Sequence, residues 1–418
     1  MTAALVFLAL AVLVAAVAWR PHGWGPAIGA ALAVAIALAS GAAEPADLGT
    51  ALAAQWRAYV TLIAVMAMTA AAEQLGLLDR VAAWIEPHTR GPVRHAFRVT
   101  FVISTLVAAV LSNDAAILLM TPTVLALLRT VYPRRHPKFD APFAIAVFAS
   151  AGVAPLVISN PMNLIFAEHA GIGFNAYSAT MVPVAIAGWI ATYAVLAWLF
   201  RDVLADPAPA LGAWPATPPL SGAAKVVMAS VAIVLCAYPV VSFLGAPLWP
   251  VAAAGGAVAV LAAAAAGRGV VPIARAITWT IFPFLLGVFV LAIALDRIGV
   301  VAWLTELYAG STHPIATIGV TSSIGSAVLN NHPMSVLNAF ALARLDAPEA
   351  HALAALVGGD LGPRLLPVGS LAALLWFDLL RRHAVTVTMT TFLRVGVALT
   401  AVTLTVSLVV LALVSRLG

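Results

Sequence analysis

Apolar runs without a single charge recur from one end of the chain to the other, among them 3–18, 24–42, 179–200, 226–244 and 399–414. Most are long enough to cross a hydrocarbon core of about 30 Å as a helix. The pattern predicts ten full crossings, at about 3–18, 24–42, 54–76, 142–168, 179–200, 225–244, 248–266, 275–296, 350–380 and 392–414. Two further apolar segments, 97–129 and 314–343, are interrupted mid-way by polar residues and predict re-entrant hairpins that return to the side they entered. The first run lacks a basic n-region and a small-residue cleavage site, so it is expected to be a span and not a signal peptide.

Charge placement tests this layout. With two hairpins, sixteen of the 21 Lys and Arg residues fall on one side: Arg20, Arg80, Arg90, Arg94, Arg98, Arg129, Arg134, Arg135, Lys138, Arg201, Lys225, Arg268, Arg275, Arg381, Arg382 and Arg394. Only Arg57, Arg297, Arg344 and Arg416 fall on the other, and Arg364 remains inside a span. The positive-inside bias places the basic side in the cytoplasm and both termini outside it, in a cell (inner) membrane. Twelve full crossings would scramble part of this asymmetry. The net charge of +5 therefore reports topology and not nucleic-acid binding. The chain is 63% hydrophobic and 9% charged, which excludes an ordinary soluble domain. Its one cysteine, Cys236, excludes an internal disulfide and a cluster of thiolate ligands.

The two halves echo each other. Trp56 and Trp279, Glu73 and Asp296, and Gly76 and Gly299 are each 223 positions apart, and Leu111-Ser-Asn-Asp114 aligns with Leu329-Asn-Asn-His332 at 218. The expected fold is an all-α polytopic membrane protein of two repeats, 1–200 and 224–418, joined by a Pro-rich cytoplasmic linker at 201–223. Each repeat has five spans and one hairpin. Five is odd, so the second repeat is expected to be inverted, which points to a secondary transporter with its site near the midplane.

Four breaks interrupt the apolar pattern: LSNDA (111–115) and VLNNHP (328–333) at the hairpin tips, ISNPMN (158–163) and GGDLGPRLLPVGS (358–370) inside spans. Irregular backbone at membrane depth survives only where it lines a cavity inside the protein. The breaks offer amides (Asn113, Asn160, Asn163, Asn330, Asn331) and hydroxyls (Ser112, Ser159, Ser370), a donor–acceptor set suited to a neutral polyhydroxylated solute. Glycines there let backbone approach a substrate, and prolines are expected to leave carbonyls facing it. Two carboxylates join them, Asp114 and Asp360, each costing about 2.5–3.5 kcal/mol at mid-helix. Low dielectric favours the neutral form of an unpaired carboxyl, which is what proton exchange requires. Arg364, one turn from Asp360, either holds that Asp ionised or pairs with it structurally; with His332 it is a candidate modulator of the site.

Plainer readings compete. A single Asn-Asp in a membrane segment is equally an interhelical hydrogen-bond pair; four breaks in matched positions favour a substrate site. Glu73 and Asp296 lie at span ends, where interfacial or capping roles are expected. His22, His88, His95, His136 and His383 sit in or beside basic loops and are expected to be solvated. No Walker sequence, metal-ligand spacing or nucleophile elbow occurs, so neither ATP hydrolysis nor a cofactor is expected.

The sequence resembles the ArsB arsenite efflux family, within the wider ion transporter superfamily that includes sodium-coupled dicarboxylate carriers. WRPHGWG, SNDAAILLMTP, SNPMNLIFAEHAGIGFNAYSATMVPV, LNNHP and, most specifically, GGDLGPRLLPVGSLAALLW carry the likeness, which runs nearly end to end. The resemblance implies a scaffold and a mobile transport domain, an elevator-like alternation, and export of arsenite and antimonite against proton influx. It implies a substrate region of Asn113, Asp114, Asn160, Asn163, Asn330, Asn331 and Asp360, and, in some members, a cytoplasmic arsenite-stimulated ATPase as partner. The tips depart from the family pattern at Ser112-Asn-Asp-Ala115 and Asn331-His-Pro-Met334, where an Ala-Asn-Asp-Gly-like tip and a Met-Pro-Thr run are expected; His332 is the notable change.

Arsenite is a neutral trihydroxide at physiological pH, so amides and hydroxyls suit it, and a single cysteine argues against capture by thiolates. The rival readings are a sodium- or proton-coupled dicarboxylate or citrate carrier and a Na⁺/H⁺ antiporter on the same fold. Two site carboxylates against one Arg would repel a dianion unless cations screened it. A passive channel or an enzyme subunit is a more distant reading, disfavoured by the symmetric carboxylates and the absence of a catalytic constellation.

Overall fold

The structure, a computed structural model, describes residues 1–19, 25–89, 91–207 and 219–416; Arg20, His22, Arg90 and the linker segment 208–218 lie outside the described residues. Helices α1 (Thr2–Trp19), α2 (Pro26–Ala39) and α3 (Pro45–Gln74) lead into α4 (Leu77–Thr89), then the pair α5 (Val93–Val110) and α6 (Asn113–Val131). A broken helix follows as α7 (His136–Ser150) and α8 (Pro161–Ala170), then α9 (Phe174–Leu199) and the single turn α10 (Arg201–Leu204). The same order then returns: α11 (Gly222–Phe243), α12 (Trp249–Ala265), the short α13 (Val270–Ala276) with α14 (Ile281–Arg297), and α15 (Val300–Ala309). The pair α16 (Pro314–Leu329) and α17 (Asn331–Arg344), the broken helix α18 (Glu349–Leu361) and α19 (Leu371–Arg382), and α20 (Met389–Val414) complete it. Seven of the described helices are long and apolar enough to cross a membrane. Ile190, Ile233, Leu261 and Val409, on α9, α11, α12 and α20, are large, apolar and exposed, as a lipid-facing surface requires.

Several boundaries differ from the expected ones; α3, for instance, begins at Pro45 and not near 54. The first break spans 151–160, beginning earlier than ISNPMN, because Gly152 and Pro155 end α7 while Pro161 is pre-set for the first turn of α8. The expected crossing at 275–296 starts only at Ile281, after α13. Helices α4 and α15 were not anticipated; Val301, Leu304 and Tyr308 form the buried stripe of α15, and such short amphipathic patterns are hidden among longer apolar runs.

The halves interlock through small residues. The second helix of each half packs on the third helix of the other, α2 on α14 and α12 on α3. A Cβ on Gly287 would lie 2.8 Å from Ala30 Cβ, and one on Gly256 would lie 3.0 Å from Ala64 Cα, so the same close approach occurs twice. Interhelical gain in lipid comes from such packing, because the tails outside are as apolar as the side chains. Three of the four extracytoplasmic arginines of the expected layout are tied to acids: Arg297 to Asp47 at 2.6 Å, Arg344 to Asp296 at 2.6 Å and Arg57 to Glu168 at 3.5 Å. Asp296 is thus a span-end ion pair.

A close backbone approach also joins α16 and α18, where a Cβ on Gly358 would stand 2.2 Å from the Gly319 carbonyl oxygen and 2.9 Å from Ser323 N. Gly358→Ala is expected to lower the melting temperature of the detergent-solubilised protein sharply. Gly49→Ala, in α3 with nothing within 4 Å, is expected to add about 0.5–1 kcal/mol of stability.

Candidate functional site

Four helices begin inside the molecule, at the four breaks, and each is capped by a residue expected to bind substrate. Ser112 Oγ accepts from Ala115 N (3.1 Å) and Asn160 Oδ1 from Met162 N (3.1 Å). Asn330 Oδ1 accepts from His332 N (3.3 Å) and Ser370 Oγ from Ala373 N (3.0 Å). These oxygens satisfy orphan N–H groups that would otherwise be stranded away from water. The capping gathers the positive ends of α6, α8, α17 and α19 at the centre of the protein. Asp114 stands in the first turn of α6, where the helix dipole favours a negative charge.

The carbonyls released by the breaks do not all wait for a ligand. Asn113 Nδ2 donates to Gly152 O at 3.0 Å, and at the second tip Asn330 Nδ2 donates to Val368 O at 3.0 Å, so each hairpin tip is stitched to the break of its own half. Ser159 Oγ donates to Ala109 O at 2.7 Å. The expectation that prolines free these carbonyls for substrate is corrected at these positions: buried backbone acceptors need partners, and nearby side chains supply them.

Asp360, at the end of α18, joins the two halves. Its Oδ1 accepts from Asn160 Nδ2 at 2.6 Å, and its Oδ2 from Ala154 N at 2.9 Å and Asn163 Nδ2 at 3.1 Å. Asn163 Nδ2 also donates to Tyr177 Oη at 2.7 Å, and Tyr177 Oη donates to Ala154 O at 3.0 Å, closing a ring through the first break. Arg364 does not pair with Asp360. Its Nη2 donates to Ala149 O and its Nη1 to Thr192 Oγ1 (3.3 Å), so the guanidinium caps the end of α7 instead. The turn at 362–364 sends the Arg364 side chain toward α7 and α9, away from the carboxylate.

Asp114 has no side-chain hydrogen-bond partner among the described residues and lies on the wall of a cavity of about 380 Å³. Ser112, Thr69, Thr278 and Thr280 add hydroxyls to that wall, Pro161 and Leu371 bring the starts of α8 and α19 to it, and Glu73 lines it too. Glu73, exposed near the end of α3 as expected for a span end, also borders this cavity. Of the other expected residues, Asn113, Ser159 and Asn163 are buried at the first break, and Asn331 and His332 are buried at the second tip.

Sequence reasoning missed Tyr177 and Thr192, which lie on α9 without any break to mark them. It also missed a buried chain in the second half. Tyr308 Oη donates to Asn338 Oδ1 (2.6 Å), Asn338 Nδ2 donates to Ser322 Oγ (3.0 Å), and Ser322 Oγ donates to Ala355 O (2.6 Å). The lone Asn338 in an apolar helix was the available signal.

The family model for arsenical pump membrane proteins, ArsB, matches residues 3–414. An arsenical pump membrane protein of Escherichia coli is 30% identical over 417 residues, covering 95% of each chain. The chain belongs to the ArsB family. A putative arsenical pump membrane protein of Bacillus subtilis (strain 168) is 28% identical over 396 residues, covering 87% of this chain and 89% of the relative. The crystal structure of the Alcanivorax borkumensis YdaH transporter, described as having an unusual topology, superposes with a TM-score of 0.58 at 17% identity over 89% of this chain and 88% of its own. That likeness concerns the fold, and it agrees with an all-helical transporter. The ArsB assignment makes the protein a polytopic membrane transporter.

Tyr177→Phe removes the donor to Ala154 O and a neighbour of Asn163 in a fully buried position. The variant is expected to lose about 1–3 kcal/mol of stability, the cost of an unmet buried acceptor. Thermal unfolding in detergent measures this, and an unchanged midpoint would remove the ring's structural role.

Proposed function

We propose that this ArsB-family transporter exports arsenite and antimonite from the cytoplasm in exchange for protons, with Asp114 as the group that exchanges the proton. The observation that carries the reading is the cavity of about 380 Å³ walled by Asp114, Ser112, Thr69, Thr278 and Thr280 in a member of this family. Its polar wall is hydroxyl and carboxyl, which matches a neutral trihydroxide through hydrogen bonds and offers no thiolate. The names of the relatives, arsenical pump membrane proteins, support the same cargo.

Access separates the two carboxylates. Both oxygens of Asp360 are occupied by protein donors and the residue is 6% exposed, whereas Asp114 is unpaired and reaches the cavity. Proton exchange needs a path to water, so Asp114 takes that role and Asp360 holds the two breaks in register. The lining includes Gly25, Pro26 and Ala276, the last adjacent in sequence to Arg275 of the basic side, which supports a cytoplasmic opening under the positive-inside rule. The repeated order of helices, with an odd number of crossings in each half, supports inverted repeats and alternating access around the central breaks. The scaffold and mobile transport domain implied by the family resemblance fit this arrangement, as does a cytoplasmic ATPase partner at the basic face.

Everted vesicles under an imposed pH gradient test the reading. Arsenite is expected to accumulate and to be lost when the gradient collapses, with Na⁺ and citrate run in parallel. Asp114→Asn is expected to abolish pH-driven accumulation while keeping the melting temperature. Full pH-driven transport by that variant would end the proton role of Asp114, and movement of Na⁺ or citrate without arsenite would replace the cargo.

A further inference from the structure

The second hairpin tip is not a copy of the first. In the register that aligns Leu111-Ser-Asn-Asp114 with Leu329-Asn-Asn-His332, an imidazole stands where the first tip has its carboxylate. Asn330 adopts φ +86° and ψ 149°, a backbone conformation that favours glycine, and both ends of its amide are used. The two residues that follow are in the opposite condition. Asn331 and His332 are each 5% exposed, and neither Asn331 Oδ1 nor either ring nitrogen of His332 has a hydrogen-bond partner.

The surroundings make that arrangement costly. The His332 ring meets Phe284 edge-on, with centroids 5.8 Å apart. Phe284 lies one turn along α14 from Thr280 and Ile281, both of which line the cavity. His332 is therefore packed behind the cavity wall, against an aromatic ring. A tip that needed only to fill space would be served better by an apolar side chain, because each unpaired buried polar atom forfeits its hydration without return. A neutral imidazole carries one donor and one acceptor, and the Asn331 oxygen adds an acceptor. A small neutral hydroxy acid, each of whose oxygens both donates and accepts, would satisfy all three atoms.

We infer that Asn331 and His332 form a second recognition station for the hydroxyls of the cargo, beyond the cavity that holds Asp114, and that His332 is its specificity-determining contact. This deepens the proposed export of arsenite and rests on it. Cargo taken up beside Ser112 and Asp114 passes behind Thr280 and Ile281 to the second tip as the hairpins move. The two stations differ in chemistry, a carboxyl at the first and an imidazole at the second, so the cargo meets a different set of donors at each.

Transport kinetics in everted vesicles test the assignment with His332→Phe, which keeps a ring against Phe284 and removes both nitrogens. The half-saturating arsenite concentration is expected to rise about tenfold, the loss of one hydrogen bond. The melting temperature is expected to hold or rise, because unpaired polar atoms have been removed. His332→Gln, which restores donor and acceptor capacity, is expected to recover most of the affinity; a merely structural role would not give that split. If the Phe variant does not accumulate, His332→Met carries the same comparison with an unbranched apolar chain. An unchanged half-saturation in the apolar variant overturns this inference alone, whereas a wild-type protein that moves no arsenite overturns it together with the proposed function.

Discussion

The architecture depends on one buried carboxylate. Asp360 arrives at the centre of the protein on α18 and finds its three donors on the chain of the other half: Ala154 N, Asn160 Nδ2 and Asn163 Nδ2. A charge taken out of water must be repaid by good local geometry, and hydrogen bonds to a charged group are the strong ones. One of them, Ala154 N, is free because α7 has stopped and α8 has not yet started; the other two are the side-chain amides of Asn160, which caps α8, and Asn163, in its first turn. The carboxylate and the break therefore require each other: the break supplies an N–H group that no helix claims, and the carboxylate gives it an acceptor. Arg364 repeats the logic one turn later, where its guanidinium closes the end of α7 through Ala149 O.

Around that anchor the same accounting recurs. Unwinding a helix inside a membrane protein creates orphan donors on one side and orphan acceptors on the other. Ser112, Asn160, Asn330 and Ser370 absorb the donors as caps. Asn113, Asn330 and Tyr177 absorb carbonyls. Among the described residues, what is left over includes the Asp114 carboxyl at the cavity, Asn163 Oδ1, and the unpaired atoms of Asn331 and His332.

Much of this was legible from the chain alone. The four interruptions stand out against an Ala-, Leu- and Val-rich background, and they fall at the two hairpin turns and within the two broken helices. Asn113, Asn160, Asn163 and Asp360 could be singled out because polar residues at membrane depth are expensive and must be partnered. Their roles were less legible. Whether an Asn caps a helix, stitches a carbonyl or faces a cargo depends on neighbours about 200 residues away. Tyr177 and Thr192 escaped notice because an isolated hydroxyl on a regular helix has no local signature. Arg364 misled because one turn of sequence separation suggests contact with Asp360, while the tight turn at 362–364 directs its side chain elsewhere.

The distance along the chain between Asp360 and its donors also bears on how the protein is made. During synthesis Ala154, Asn160 and Asn163 enter the bilayer about 200 residues before their acceptor exists. Until α18 is made, Ala154 N and Asn160 Nδ2 lack the acceptor they have in the finished protein, while Asn163 has Tyr177 within its own half. Maturation of the transporter is a docking event between two halves of one polypeptide, and the arrival of a single aspartate completes it.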